Sequence, residues 1–134
     1  EAQEGDILKN GVVYIAPGGK HMRVVKKGTD YCIKLSDEPA IDGLRPCANV
    51  MYESLENCQY DEITCVVLTG MGADGTKGIQ GLAAHHKKLH VIAQDADTCV
   101  VYGMPKAIAQ TGLVDEVVPL GSVAETITKN VGVS

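Results

Sequence analysis

The 134-residue sequence predicts a three-layer α/β domain with a mostly parallel, doubly wound sheet and a small antiparallel hairpin near the N-terminus. Three observations carry that expectation. Residues 63–68 and 89–93 are apolar, valine- and isoleucine-rich runs nearly free of charge, as strands buried on both faces are. Helical spacing follows the first run, with Ile79, Leu82 and Ala83 three and four apart, and strands that alternate with helices imply parallel crossovers. Met22, Val24, Tyr31, Ile33 and Leu35 instead alternate with polar residues on either side of 26–30, the pattern of a hairpin with one face exposed.

Taken in order, residues 1–11 are polar and close on Lys9-Asn10-Gly11, a turn signal. Residues 12–16 are short, apolar and β-rich, and are expected as a strand that stops at Pro17-Gly18-Gly19. The hairpin strands follow at 21–25 and 31–35. A loop punctuated by Pro39, Gly43 and Pro46 leads to a helix over about 47–57, with Val50, Met51, Ser54 and Leu55 on one face. The central strand runs into Gly70-Met71-Gly72-Ala73-Asp74-Gly75 and then a helix from 76 to about 86. A strand at 89–93, a short helix at 104–109 with Pro105 in its first turn, a strand at 114–118 and an amphipathic helix at 122–130 complete the chain. No linker divides it, so one domain is expected.

The totals restrict function. A formal net charge of −5 argues against nucleic acid as a partner, which demands a basic face. No apolar run is long enough for membrane insertion. The five cysteines are odd in number and form no Cys-x-x-Cys, which points to reduced thiols rather than a disulfide framework or a four-cysteine zinc site.

The glycine turn supports three readings. Gly70, Gly72 and Gly75 match G-x-G-x-x-G between a strand and a helix, and Asp95 follows about twenty residues on, as in a dinucleotide-binding fingerprint. Asp74 opposes that reading, because a carboxylate at a helix N-terminus repels the pyrophosphate the turn would hold. Alternatively, Asp74 orients a histidine as the third member of a Ser-His-Asp arrangement, with a free backbone N–H such as that of Met71 serving an oxyanion. In the third reading, Asp74 merely caps its helix.

Residues 66–75, Val-Val-Leu-Thr-Gly-Met-Gly-Ala-Asp-Gly, closely resemble the aspartate motif of the chemotaxis protein-glutamate methylesterases. Residues 14–22 (Tyr-Ile-Ala-Pro-Gly-Gly-Lys-His-Met), Arg45-Pro46, 49–54, 92–95, 99–105 and 112–118 agree in the same order, so the resemblance covers almost the whole chain. It implies hydrolysis of γ-glutamyl methyl esters on the cytoplasmic helices of methyl-accepting chemoreceptors, with release of methanol, and deamidation of receptor glutamines in many members. It further implies Asp74 as the catalytic aspartate, Met71 as a backbone oxyanion donor, no cofactor, no metal and a cytoplasmic location. The family's serine and histidine lie before the Ala16-Pro17-Gly18 segment. The chain is therefore expected to be the C-terminal part of a catalytic domain, without the upstream serine/histidine segment and the receiver domain that accompanies it in the full-length protein. Asn49 stands where the family commonly has aspartate, and His85-His86-Lys87-Lys88 replaces an Ala-Gly-rich helix end. The readings from other classes are a nucleotide-binding domain using Gly70 to Gly75 and a non-catalytic receptor-binding remnant.

Other reactive side chains invite plainer readings. Ser54 is expected to pack or hydrogen-bond within its helix, having no glycine elbow to expose it. His21 is expected to be structural or to contact substrate. His86 and His90 have metal-ligand spacing, but the helix is expected to end between them and Lys87-Lys88 would repel a cation. Cys99 is expected to be buried and inert.

Overall fold

The computed structural model describes residues 1–85 and 87–132. Strands β1 (His21–Lys27) and β2 (Asp30–Ser36) pair antiparallel from His21 opposite Ser36 to Lys27 opposite Asp30, as their alternation requires. The N-terminal residues run along the outer edge of β2: Gly5 N–H donates to Ile33 O and Ile33 N–H to Asp6 O. Helix α1 (Ala48–Ser54) follows the proline-punctuated loop. It is tied to the hairpin through Ser54, whose hydroxyl donates to Met51 O (2.6 Å) and accepts Val24 N–H (2.9 Å). Ser54 is thus engaged in its helix, as expected.

Strands β3 (Glu62–Val67), β4 (Lys88–Gln94) and β5 (Glu116–Val118) form a parallel sheet in that order. Helix α2 (Thr76–Ala84) links β3 to β4, and helix α3 (Met104–Ala109), with Pro105 in its first turn, links β4 to β5. Helix α4 (Val123–Val131) then lies against β3 and β4. Side chains alternate across a strand, so Cys65, Val67, Val91 and Ala93 share one face and meet Tyr52, Ile79, Leu82 and Ile108 from α1, α2 and α3. His90 and Ile92 project from the other face, where His90 reaches a carboxylate that Asn130 of α4 also holds. Helices therefore cover both faces. Burying a side chain such as Leu82 completely contributes about 1.5–3 kcal/mol, which makes this cluster the main source of cohesion.

One expected strand is absent. Residues 12–16 form no strand, and among the described residues their backbone joins no sheet; Ile15 O accepts Ala2 N–H. Val12, Val13 and Ile15 are exposed, Val13 at 84%. β-Branched composition becomes a strand only where a neighbour takes the backbone groups. Cys99 also departs from expectation: it is half-buried, whereas Cys32, Cys47, Cys58 and Cys65 are buried, and all five are free thiols. Burial pushes the Cys65 thiol up to about 11, so it stays protonated inside β3.

Close approach of α1 and α2 depends on one glycine. A Cβ on Gly78 would lie 2.6 Å from Tyr52 Cβ and 3.1 Å from Asn49 Cα. Gly78→Ala should therefore destabilise the fold by about 1–3 kcal/mol in urea unfolding, although alanine is the better helix former. Gly81→Ala is the control, since its Cβ would meet only the end of the flexible Glu56 side chain; it should be neutral or stabilising by up to ~1 kcal/mol.

A polar anchor closes the far side. His90 Nε2 lies 2.6 Å from Glu116 Oε2, Asn130 Nδ2 donates to the same oxygen (2.9 Å), and Asp115 Oδ2 lies 4.0 Å from His90 Nδ1. The hydrogen bond with His90 is the main cause holding the Glu116 carboxyl below its usual value, with Asn130 adding to it. A carboxyl lowered in the folded state contributes stability above its unfolded value, about 4.3, and loses it as pH falls through the folded value. His90→Ala should accordingly be less stable than the parent at neutral pH, and the difference should shrink as pH falls through the lowered Glu116 value.

Candidate active site

The site lies at the C-terminal end of β3. Gln94, buried at the end of β4, accepts Thr69 N–H at its Oε1 (2.8 Å) and donates from Nε2 to Thr98 O (2.9 Å). Thr69 Oγ1 and Val101 exchange hydrogen bonds of 3.0 and 2.9 Å, Gly70 N–H donates to Val101 O, and Gly70 O accepts from Met104 N–H (2.8 Å). The loop before α3 is thereby strapped to the first residues of the glycine turn. Met71 is 85% exposed, and among the described residues no backbone acceptor takes its N–H.

Asp74 is held on its other side. Its Oδ2 accepts Ala48 N–H (2.7 Å), and its Oδ1 accepts Asn49 N–H (3.0 Å) and the Cys47 thiol (3.2 Å). The aspartate thus caps α1, a helix 26 residues earlier whose own N-cap, Cys47, makes no side-chain cap bond. This differs from the expected cap on the following helix. That role falls to Asn49, whose Oδ1 accepts Gly75 N–H (2.9 Å) and Gly78 N–H (2.8 Å) at the start of α2. Each helix supplies or adjoins the residue that caps the other. Gly75 is required between them, since its φ of 95° is left-handed and Asp74 is aimed back at α1 by that bend.

A carboxylate has about four acceptor positions, and three are filled here. Among the described residues, one position on Oδ2 remains open. Asp74 lines a hollow of about 470 Å³ with Met71, Cys47, Asn49, Thr76 and Lys77, and a second of about 270 Å³ with Met22, Met51 and Cys47. Burial is the main cause pushing the Cys47 thiol up, and the bond to Asp74 acts in the same direction, so Cys47 is an S–H donor at neutral pH. Burial likewise drives the Tyr52 phenol upward, and it stays neutral beneath the turn.

The arrangement suits the orientation of a histidine N–H better than the holding of a pyrophosphate. The α2 N–H groups of Gly75 and Gly78 already bond Asn49, and Asp95 Oδ1 is engaged by the Thr98 N–H and hydroxyl. Two of the donors that the fingerprint would offer a pyrophosphate are therefore taken by Asn49, and one oxygen of Asp95 is engaged within its own loop.

The chain matches the CheB methylesterase family over residues 1–127. It belongs to that family. The protein-glutamate methylesterase/protein-glutamine glutaminase of Desulfotalea psychrophila is 43% identical over 133 residues, covering 98% of this chain and 36% of its own length. The protein of the same name from Oceanobacillus iheyensis is 44% identical over 130 residues, covering 96% and 37%. The crystal structure of the Thermotoga maritima CheB methylesterase catalytic domain matches with a TM-score of 0.88 at 34% identity, covering 96% of this chain and 67% of that one. The chain thus spans a little over a third of the length of these curated relatives.

Within this CheB-family domain, Asp74 and Met71 stand in one turn at the rim of one hollow. The remaining candidates lie elsewhere. His21 is 1% exposed at the start of β1, with Nε2 2.9 Å from Pro39 O. His90 holds Glu116 on the opposite face, and His86 lies outside the described residues. Among the described residues no three His, Cys, Asp or Glu side chains are placed to hold a metal ion, and no helix is long and apolar enough to cross a membrane. Cys47 and Gln94 were not singled out from the sequence. One signal for Cys47 was available: a helix beginning on cysteine lacks the Ser, Thr, Asp or Asn that normally caps it, so its cap must come from elsewhere.

If Asn49 caps α2 as described, Asn49→Ala strands the N–H groups of buried Gly75 and Gly78. A loss of about 1–2 kcal/mol is expected in urea unfolding. Asn49→Asp, which retains an acceptor, should lose less.

Proposed function

We propose that this chain carries the aspartate and one oxyanion donor of a serine esterase. The enzyme would act on γ-glutamyl methyl esters of methyl-accepting chemoreceptor cytoplasmic helices, and on receptor glutamines as a deamidase. The serine and histidine come from the upstream segment of the full-length protein, which also carries the receiver domain. The observation that carries the reading is the Asp74 carboxylate, held by three donors with one acceptor position open, in the same turn as the exposed Met71 N–H. Family membership and the names of the relatives support it.

In this reading the serine oxygen attacks the ester carbonyl carbon while the histidine takes its proton. Negative charge then develops on the carbonyl oxygen, where the Met71 N–H donates. Asp74 accepts the other histidine N–H, fixing its tautomer and stabilising the imidazolium. The histidine returns the proton to the departing methoxide, releasing methanol and leaving a glutamyl ester on the serine. Water, deprotonated by the same histidine, hydrolyses that ester to the glutamate side chain and free serine. A glutamine substrate follows the same path with ammonia as the leaving group. These steps use neither a metal nor a cofactor, and in this reading the protein works in the cytoplasm, at the receptors' cytoplasmic helices.

Methanol release from a methylated receptor fragment tests the proposal. The full-length protein should turn over and its Asp74→Asn variant should lose about 10³–10⁴-fold in kcat. The 134 residues alone should release none. Full activity in Asp74→Asn would overturn the assignment, and receptor binding without turnover in the full-length protein would indicate a non-catalytic remnant.

A further inference from the structure

We propose that Cys47 is a positioning residue for this reaction: its thiol and the Asn49 N–H fill both acceptor positions of Asp74 Oδ1, leaving the histidine a single docking position on Oδ2. The inference rests on the functional reading above and deepens it. Cys47 Sγ lies 3.2 Å from Oδ1, Asn49 N lies 3.0 Å from the same oxygen, and Ala48 N lies 2.7 Å from Oδ2. The two N–H groups alone would leave the carboxylate with one open position on each oxygen. A histidine could then bond either, with two different ring orientations. The thiol removes that degeneracy. Cys47 is 3% exposed, so solvent does not compete with its thiol for Oδ1 while the side chain is in place. Asp42 and Lys77 also line the larger hollow, but neither donates a hydrogen bond to Asp74 among the described residues.

The role is orientation, so the effect belongs in kcat. In the full-length protein, Cys47→Ala should lower kcat for methanol release about 3- to 10-fold, as expected for one weak donor to a charged group. KM should stay within about 2-fold, because the change acts on the transition state. Cys47→Ser restores a donor and should recover most of the loss, whereas Cys47→Val, which keeps an apolar side chain without a donor, should not. Should Cys47→Ala fail to fold, the serine and valine pair gives the same comparison.

An unchanged kcat in both Cys47→Ala and Cys47→Val, a change confined to KM, or a serine variant no better than alanine would each overturn the inference. Asp74→Asn, measured alongside, separates the two failures. If it is inactive while the Cys47 variants are unaffected, only the role of Cys47 fails. If it is also unaffected, the functional reading itself fails.

Discussion

The start of α1 and the start of α2 are locked together by an exchange of caps, and the site depends on it. Neither helix caps itself: Cys47 and Gly75, at their N-cap positions, make no side-chain cap bond. Asp74 serves α1 and Asn49 serves α2, each across more than twenty residues of sequence. Two helix N-termini brought side by side present two positive ends, and the Asp74 carboxylate is the compensating charge. Asn49 takes part twice, donating its N–H to Asp74 and accepting from α2 through its side chain. The approach this requires is possible because Gly78 leaves room for Tyr52 and Asn49.

The same exchange explains how a structural carboxylate remains available for chemistry. Capping by one oxygen alone would leave the carboxylate free to rotate. Using both oxygens on one side fixes the plane and leaves a defined acceptor position. It also separates the demands on the two residues. At position 74 the proposed chemistry needs a negative, acceptor-only group. At position 49 only a side-chain acceptor is needed, so asparagine serves. The strap from Thr69 and Gly70 to Val101 and Met104 completes the arrangement, holding the loop before α3 while Met71 stays exposed.

Much of the fold was legible in the sequence because it follows from periodicity. The buried runs became β3 and β4, the alternating pair became β1 and β2, and Pro105 marked the start of α3. Residues 12–16 form no strand despite their β-rich composition, which reports a preference for extended backbone and not the presence of a neighbour. The helix expected over 47–57 spans Ala48–Ser54, ending where the serine hydroxyl turns back to Met51 O. At the proposed site, the motif points to the turn, Asp74 and Met71. The partners of Asp74 could not, since a cap supplied from another helix leaves no local pattern. The glycine fingerprint, already opposed by the charge of Asp74, records only where donors could lie, and here Asn49 takes two of them.

A double-mutant cycle on Asp74→Ala and Asn49→Ala, followed by urea unfolding, tests the cap exchange most directly. If the two caps form one interlocked unit, either substitution loosens the approach that the other bond needs. The losses should then be non-additive, with a coupling of about 1 kcal/mol or more. Additive losses, within about 0.3–0.5 kcal/mol, would mean that the helices are capped independently and that Asp74 is not held in place by the exchange.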